Sequence, residues 1–439
     1  MPRYWNEVGL EFTTSNEAAV RAFDQTIRSY ATFRRDIGEH LKATFAADPN
    51  MVMAHVLKGC FFHYMGMRPL IAKAEKCLAD AEAASIGCSP RERNHIEALR
   101  AWCKGDYRAA IEVWERTLLE YPRDFLALKL ANYLHFYLGD SANVRDSVAR
   151  VMYAWDNAMP GYGLVRSLYA FGLQENGAMA EAESIARASL EQEPSDGWAV
   201  HTLAHVMEMQ DRHAEGIAFL RACEANWDSG NNFRHHLWWH RALFQLDLQQ
   251  FDATLELYDQ HLWDEKSDEY LDLCNDASLL LRLELAGANV GNRWQALFEK
   301  VKGRIEDHIF CFVDAHVTIA LAAVDQGSVD TMLSSLRDQA MRGHNTTAAV
   351  TREIAYALCQ AIAAHRAGDF AAVIKLLGPN RYRVRAIGGS NTQRDLFFQL
   401  LVDAAIRSRQ FDLSRALLSE YLARRPSNGW AGRARLAVG

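Results

Sequence analysis

Residues 105–124 read GDYRAAIEVWERTLLEYPRD. Gly105 permits a turn. Tyr107, Ala110, Ile111, Trp114 and Leu118 then recur at helical spacing as one apolar stripe, and Pro122 stops the helix. The segment reads as the second helix of a helix–turn–helix repeat.

The same frame returns along the chain. Gly177, Ala182, Leu190 and Pro194 carry it in residues 175–194. Phe251, Leu255, Tyr258 and Leu262 carry it in QQFDATLELYDQHLW, Gly368, Phe370 and Ile374 in AGDFAAVIKLL, and Phe411, Leu418, Leu422 and Pro426 in RQFDLSRALLSEYLARRP. Weaker copies lie around Gly139–Asp140, Asp211–His213 and Gly327. A period of about 34 residues with this pattern is that of a tetratricopeptide repeat. The expected fold is all-α, a tetratricopeptide-like α/α superhelix (solenoid) of about ten helix pairs.

Composition agrees with a folded chain and narrows the partners. Of 439 residues, 49% are hydrophobic and 23% charged, and the net charge is −7. That balance argues against a basic nucleic-acid surface or an anionic-membrane surface. No apolar run approaches the roughly 20 residues that span a bilayer, and the polar start MPRYWNEVGLEFTTSNEAAV does not read as a signal peptide. The eight cysteines are dispersed without a CxxC, which suits free thiols in a reducing compartment, so a cytoplasmic location is expected.

Three regions are expected. Residues 1–90 form an N-terminal helical cap with degenerate repeats, residues 91–376 the central repeats, and residues 377–439 a loop and C-terminal capping repeat. Two longer connections carry helix starts: Ser89-Pro90, and Ser390-x-x-Gln393 after Gly388-Gly389, a capping-box pattern that opens a helix at Asn391. The polar C-terminal PSNGWAGRARLAVG is suited either to cap the array or to dock on another copy, which leaves a homo-oligomer open.

The sixteen histidines cluster unevenly. In HTLAHVMEMQ, residues 201–210, His201, His205 and Glu208 fall at i, i+4 and i+7 on one stripe. The next first helix, NNFRHHLWWHRALF, adds His236 and His240 at i, i+4, with His235 and Trp239 likewise. First helices of adjacent repeats stack roughly 8–10 Å apart and line the concave face, so these imidazoles can converge on one ligand. Asp272 and Asp276 follow on a third helix, Asp314 and His316 near the start of a fourth, and His365 late on another, while Arg91, Arg93 and His95 stand at the mouth of an early one.

The ordinary readings compete with a site. His40, His213, His261 and His344 read as surface or satisfied residues, Trp238 and Trp239 as packing, and the GGS loop as a turn. Metal binding would use the two HxxxH pairs with Glu208 or Asp276, yet HExxH is absent and HxxxH alone is weakly specific, so no metal is assigned. Nucleophilic catalysis lacks a GxSxG or papain-like context, and no nucleotide fingerprint calls for a cofactor. Acid–base chemistry needs only histidine oriented by a carboxylate.

The segments RERNHIEAL, AVHTLAHVMEMQDRHAEGIAFL, NNFRHHLWWHRALFQLDLQQFDATLELYD, NDASLLLRLEL, FVDAHVTIA and IGGSNTQRD, in this order, resemble the tetratricopeptide repeat protein 38-like family over nearly the whole chain. The resemblance implies an α/α superhelix in the cytosol and brings no reaction with it. The Lys/Asn/Arg carboxylate clamps of chaperone-adaptor repeats are missing, which weakens a C-terminal-peptide adaptor reading.

The expected function is therefore binding of a small molecule or short peptide in a His/Trp/Asp-lined groove. His205 and His236 are the acid/base candidates for hydrolase- or lyase-type chemistry. His201, Glu208, His235, Trp239, His240, Asp276, Asp314, His316 and Arg394 are the binding candidates, with Asp314 orienting His316. The alternative is a non-catalytic protein–protein interaction scaffold.

Overall fold

The hairpin turns explain why this sequence folds as repeats. In a computed structural model describing residues 2–438, successive helix pairs close through one motif. The residue after the first helix takes a left-handed conformation, and the next backbone N–H reaches back to a carbonyl five residues earlier. Gly105, Gly177 and Gly368 hold that conformation at φ of 72°, 87° and 77°. Asp106 N–H then donates to Ala101 O, Ala178 N–H to Leu173 O, and Asp369 N–H to Ala364 O. Asp211, Gln249 and Arg409 do the same at φ of 57°, 60° and 58°. The non-glycine turn at Asp211 explains why that repeat reads as a weak copy.

The chain is all-α and tetratricopeptide-like, apart from one two-stranded hairpin, Arg3–Trp5 paired antiparallel with Glu11–Thr13. The sequence reading placed no strand there, because each strand is three residues long and too short for an alternation signal.

The chain forms two compact units. The first comprises residues 2–136, Asp140–Leu203 and Ala225–Asn231. In it Glu17–Ala31 pairs with Ile37–Ala47, Val52–Tyr64 with Ile71–Ala84, Pro90–Cys103 with Tyr107–Glu120, and Tyr162–Glu175 with Met179–Gln192. The stripe seen in residues 105–124 is its core: Tyr107, Ala110, Ile111, Trp114 and Leu118 are all buried.

The second unit comprises Tyr137–Gly139, Ala204–Glu224 and residues 232–438. Phe233–Asp247, Tyr270–Leu285, Cys311–Val324 and Tyr356–Arg366 pack each on the next, backed by their partner helices. Asn391–Arg407 returns onto Tyr270–Leu285, where Arg282 Nη2 donates to Thr392 O at 2.8 Å. That helix covers a face the sequence reading left as open groove. His213–Ala222 lies so close to Phe233–Asp247 that a Cβ on Gly216 would meet the Phe244 ring at 2.4 Å. The C-terminal Gly429–Ala437 packs on Phe411–Arg424.

Both expected helix starts are present. Ser89 and Glu92 form a capping box ahead of Pro90–Cys103, and Ser390 and Gln393 form one ahead of Asn391–Arg407. No described helix is long and apolar enough to cross a membrane, and all eight cysteines are free thiols.

Candidate functional site

Helix Gly197–Met209 opens on Asp196, whose Oδ1 accepts from the backbone N–H of Trp198 and Ala199 at 3.0 and 3.1 Å. From 199 to 208 every residue is buried, so its stripe is enclosed rather than open to a groove. His201 belongs to the first unit, where its ring lies 5.3 Å from Phe171 and 4.8 Å from Trp198.

In the second unit the structure brings together His205, His236 and His240. Ring centroids are 4.6 Å apart for His205 and His240 and 4.8 Å apart for His236 and His240. One ring nitrogen of each lies within 4.8 Å of the others. His236 Nδ1 is 3.0 Å from Asn275 Oδ1, and Trp239 stacks on the same ring at 5.1 Å. Thr392 Oγ1 stands 3.5 Å from His205 Nδ1. Burial pulls His236 down to about 4 and holds His205 and His240 well below the ordinary histidine value. The neighbouring charge of Arg394 pushes His205 the same way. All three imidazoles are neutral at physiological pH.

The remaining candidates do different work. His235 Nδ1 donates to His261 O at 2.7 Å, a carbonyl in the π-helical turn Tyr258–Leu262. Asp276 is buried, and desolvation together with nearby Asp272 pushes its carboxyl well up. Arg394 is held by Gly389 O and by Asn391 Oδ1.

The expected Asp314–His316 pair does not form. Residues i and i+2 of a helix point to different sides. Asp314 Oδ1 instead meets His308 Nδ1 at 3.0 Å, and His316 Nδ1 donates to Phe312 O at 2.8 Å.

Glu208 anchors a second polar cluster. His213 lies 4.0 Å from Glu208 and 3.6 Å from Asp247, and Arg425 bridges Asp211 at 2.6 Å and the Glu208 backbone carbonyl at 2.6 Å. Burial, with Asp247 beside it, raises Glu208 to about 8. Glu208, Asp247, Arg282 and Arg425 line a cavity of about 30 Å³, room for a water or two.

The large opening lies elsewhere. The first unit holds a cleft of about 930 Å³, lined by the hairpin residues Trp5, Leu10 and Phe12, by Arg21 and Asp24, and by Tyr162 among others. Trp5 is 60% exposed on its wall. Below it, Asp124 accepts from Arg91 Nη1 at 2.8 Å, His95 Nε2 at 2.9 Å and Ala127 N–H at 3.0 Å. Trp114 Nε1 in turn donates to His95 Nδ1 at 3.3 Å. The sequence reading placed Arg91 and His95 at a helix mouth; both are buried structural partners. It missed the cleft, for which the one available signal was the aromatic, charged run around Tyr4 and Trp5.

No protein-family model matches the sequence. Two solved structures to which the chain is similar have 12% sequence identity to it. One is described as the structure of Naa15/Naa10 bound to HypK-THB, matched over 95% of this chain and 65% of that chain with a TM-score of 0.27. The chain thus spans less than two-thirds of that protein's length. The other is the TPR domain of P58(IPK), matched over 80% of this chain and 97% of that chain with a TM-score of 0.23.

Proposed function

We propose that the chain is a helical-repeat binding scaffold that takes up a short peptide segment of a partner protein in the cleft of its first unit. The observation that carries this reading is the cleft itself. At about 930 Å³ it stands at the upper end of the range of roughly 300–1,000 Å³ for small-ligand pockets. Its wall offers an exposed tryptophan and side chains of both signs, the mixture that anchors peptides through an aromatic contact with polar flanks. In the same reading the chain is a cytosolic member of the tetratricopeptide repeat protein 38-like family, as its segments resemble.

Acid–base catalysis by His205 and His236 draws less support. Burial makes both imidazoles weak bases, far from the near-neutral pKa that suits proton transfer. A buried cluster of neutral imidazoles is better suited to holding a small ligand.

The test uses peptides selected from a random displayed library against the full-length protein. Trp5→Ala and Arg21→Glu, both on exposed positions, are expected to weaken the selected peptides tenfold or more. Selected peptides that bind both variants as tightly as wild type would overturn the proposal.

A further inference from the structure

His236 and His240 stand one turn apart on the helix Phe233–Asp247, so one helical face presents two imidazoles at chelating distance. His205 approaches from helix Gly197–Met209, and one nitrogen from each of the three rings falls within 4.8 Å of the others. Imidazole nitrogens around a tetrahedral ion sit at about 2.0–2.1 Å from the metal, so the three rings draw together on binding.

A further observation points to a cation as the occupant. Asn275 Oδ1 accepts from His236 Nδ1, which makes Nε2 the lone-pair nitrogen. An oxygen acceptor behind a ligating histidine is the usual supporting contact, because it fixes both tautomer and ring orientation. Beside His205, Thr392 offers a hydroxyl and Arg394 a positive charge. These suit a fourth ligand that is water or an anion.

We propose that His205, His236 and His240 bind one divalent transition-metal ion, zinc by preference, with the fourth coordination position left to water or an anionic ligand. A set of three nitrogens with no carboxylate favours zinc over magnesium or calcium, which select oxygen. In the other cluster, Glu208, His213 and Asp247, the Arg425 guanidinium stands 3.5 Å from Glu208 and already serves its carboxylate as the cation. This site is independent of the cleft in the first unit.

The experiment strips the full-length protein with a chelator and titrates it with Co²⁺, read by the visible absorption of tetrahedral cobalt and by calorimetry, with Zn²⁺ as competitor. One equivalent per chain is expected, displaced by zinc. Asn275→Ala is expected to keep the stoichiometry and weaken affinity by about 10–100-fold. His213→Gln, in the other cluster, leaves binding unchanged. The double variant His236→Gln/His240→Gln, checked for folding by circular dichroism, is expected to lose the cobalt spectrum. Absence of saturable Co²⁺ and Zn²⁺ binding by stripped wild type would overturn the proposal. So would full binding by the folded double variant, or by Asn275→Ala at wild-type affinity.

Discussion

His236 Nδ1 lies 3.0 Å from Asn275 Oδ1, a bond between neighbouring helices that fixes the tautomer of an imidazole buried against two others. Histidine-selective ¹⁵N spectra of the metal-free protein at neutral pH are expected to show His236 with its proton on Nδ1. Asn275→Ala removes the acceptor, and the His236 signals are expected to move toward a tautomer mixture. An unchanged His236 tautomer in that variant would mean that Asn275 does not orient the ring.

Asp124 illustrates a buried charge that holds the first unit together. Its carboxylate is 1% exposed and takes bonds from Arg91, His95 and the backbone of Ala127. Burial alone would raise its pKa. The hydrogen bonds from His95 and Arg91 and the Arg91 charge more than compensate, holding it well below the usual carboxylate range. Asp124→Ala leaves the Arg91 guanidinium buried without its counter-ion, and a loss of about 3–5 kcal/mol is expected in urea unfolding. A loss under 1 kcal/mol would contradict the network.

Asp24, on the cleft wall, has the opposite sign. Burial raises it to about 6, with Glu7 adding to the rise and the hydrogen bond from Asn6 opposing it. A carboxyl whose folded pKa exceeds its unfolded value of 3.8 favours the fold at low pH. The penalty grows as pH rises through that window and is complete above about 6. Asp24→Asn is therefore expected to stabilise the protein by about 1–2 kcal/mol at pH 8 and to give no gain near pH 4. Thermal melts at both values check this, and equal shifts at the two would contradict it.

The turn motif makes a backbone prediction. Arg409 is an exposed residue at φ 58°, where glycine stands in the equivalent turns at Gly105 and Gly368. Left-handed backbone costs an L-residue about 1–2 kcal/mol, and the entropy of glycine returns part of that. Arg409→Gly is expected to raise stability by about 0.5–1 kcal/mol, read from the denaturant midpoint at constant slope.

How much of this was legible in the sequence depends on the range of the interaction. The helix pairs follow from local signals: the stripe Tyr107 to Leu118, the turn glycines and the two capping boxes all stand where the residues placed them. The convergence of His205 with the pair His236 and His240 follows from helix periodicity and stacking of adjacent repeats. The exposure of that cluster does not. It depends on Asn391–Arg407 returning onto Tyr270–Leu285, a contact more than a hundred residues apart that no local pattern encodes. The partner of Glu208 was hidden for the same reason, since Arg425 lies far along the chain, whereas Asp314 turns to His308 in the loop just before its helix. The cleft depends on a hairpin too short to read and on helices distant in sequence.

The claim that the first-unit cleft takes the partner peptide is tested most directly by hydrogen exchange with and without a library-selected peptide. Added protection is expected to concentrate in residues 3–13 and 159–164, the hairpin and the loop-to-helix junction that line the cleft. Protection confined to residues 233–247, with none at the hairpin, would contradict it.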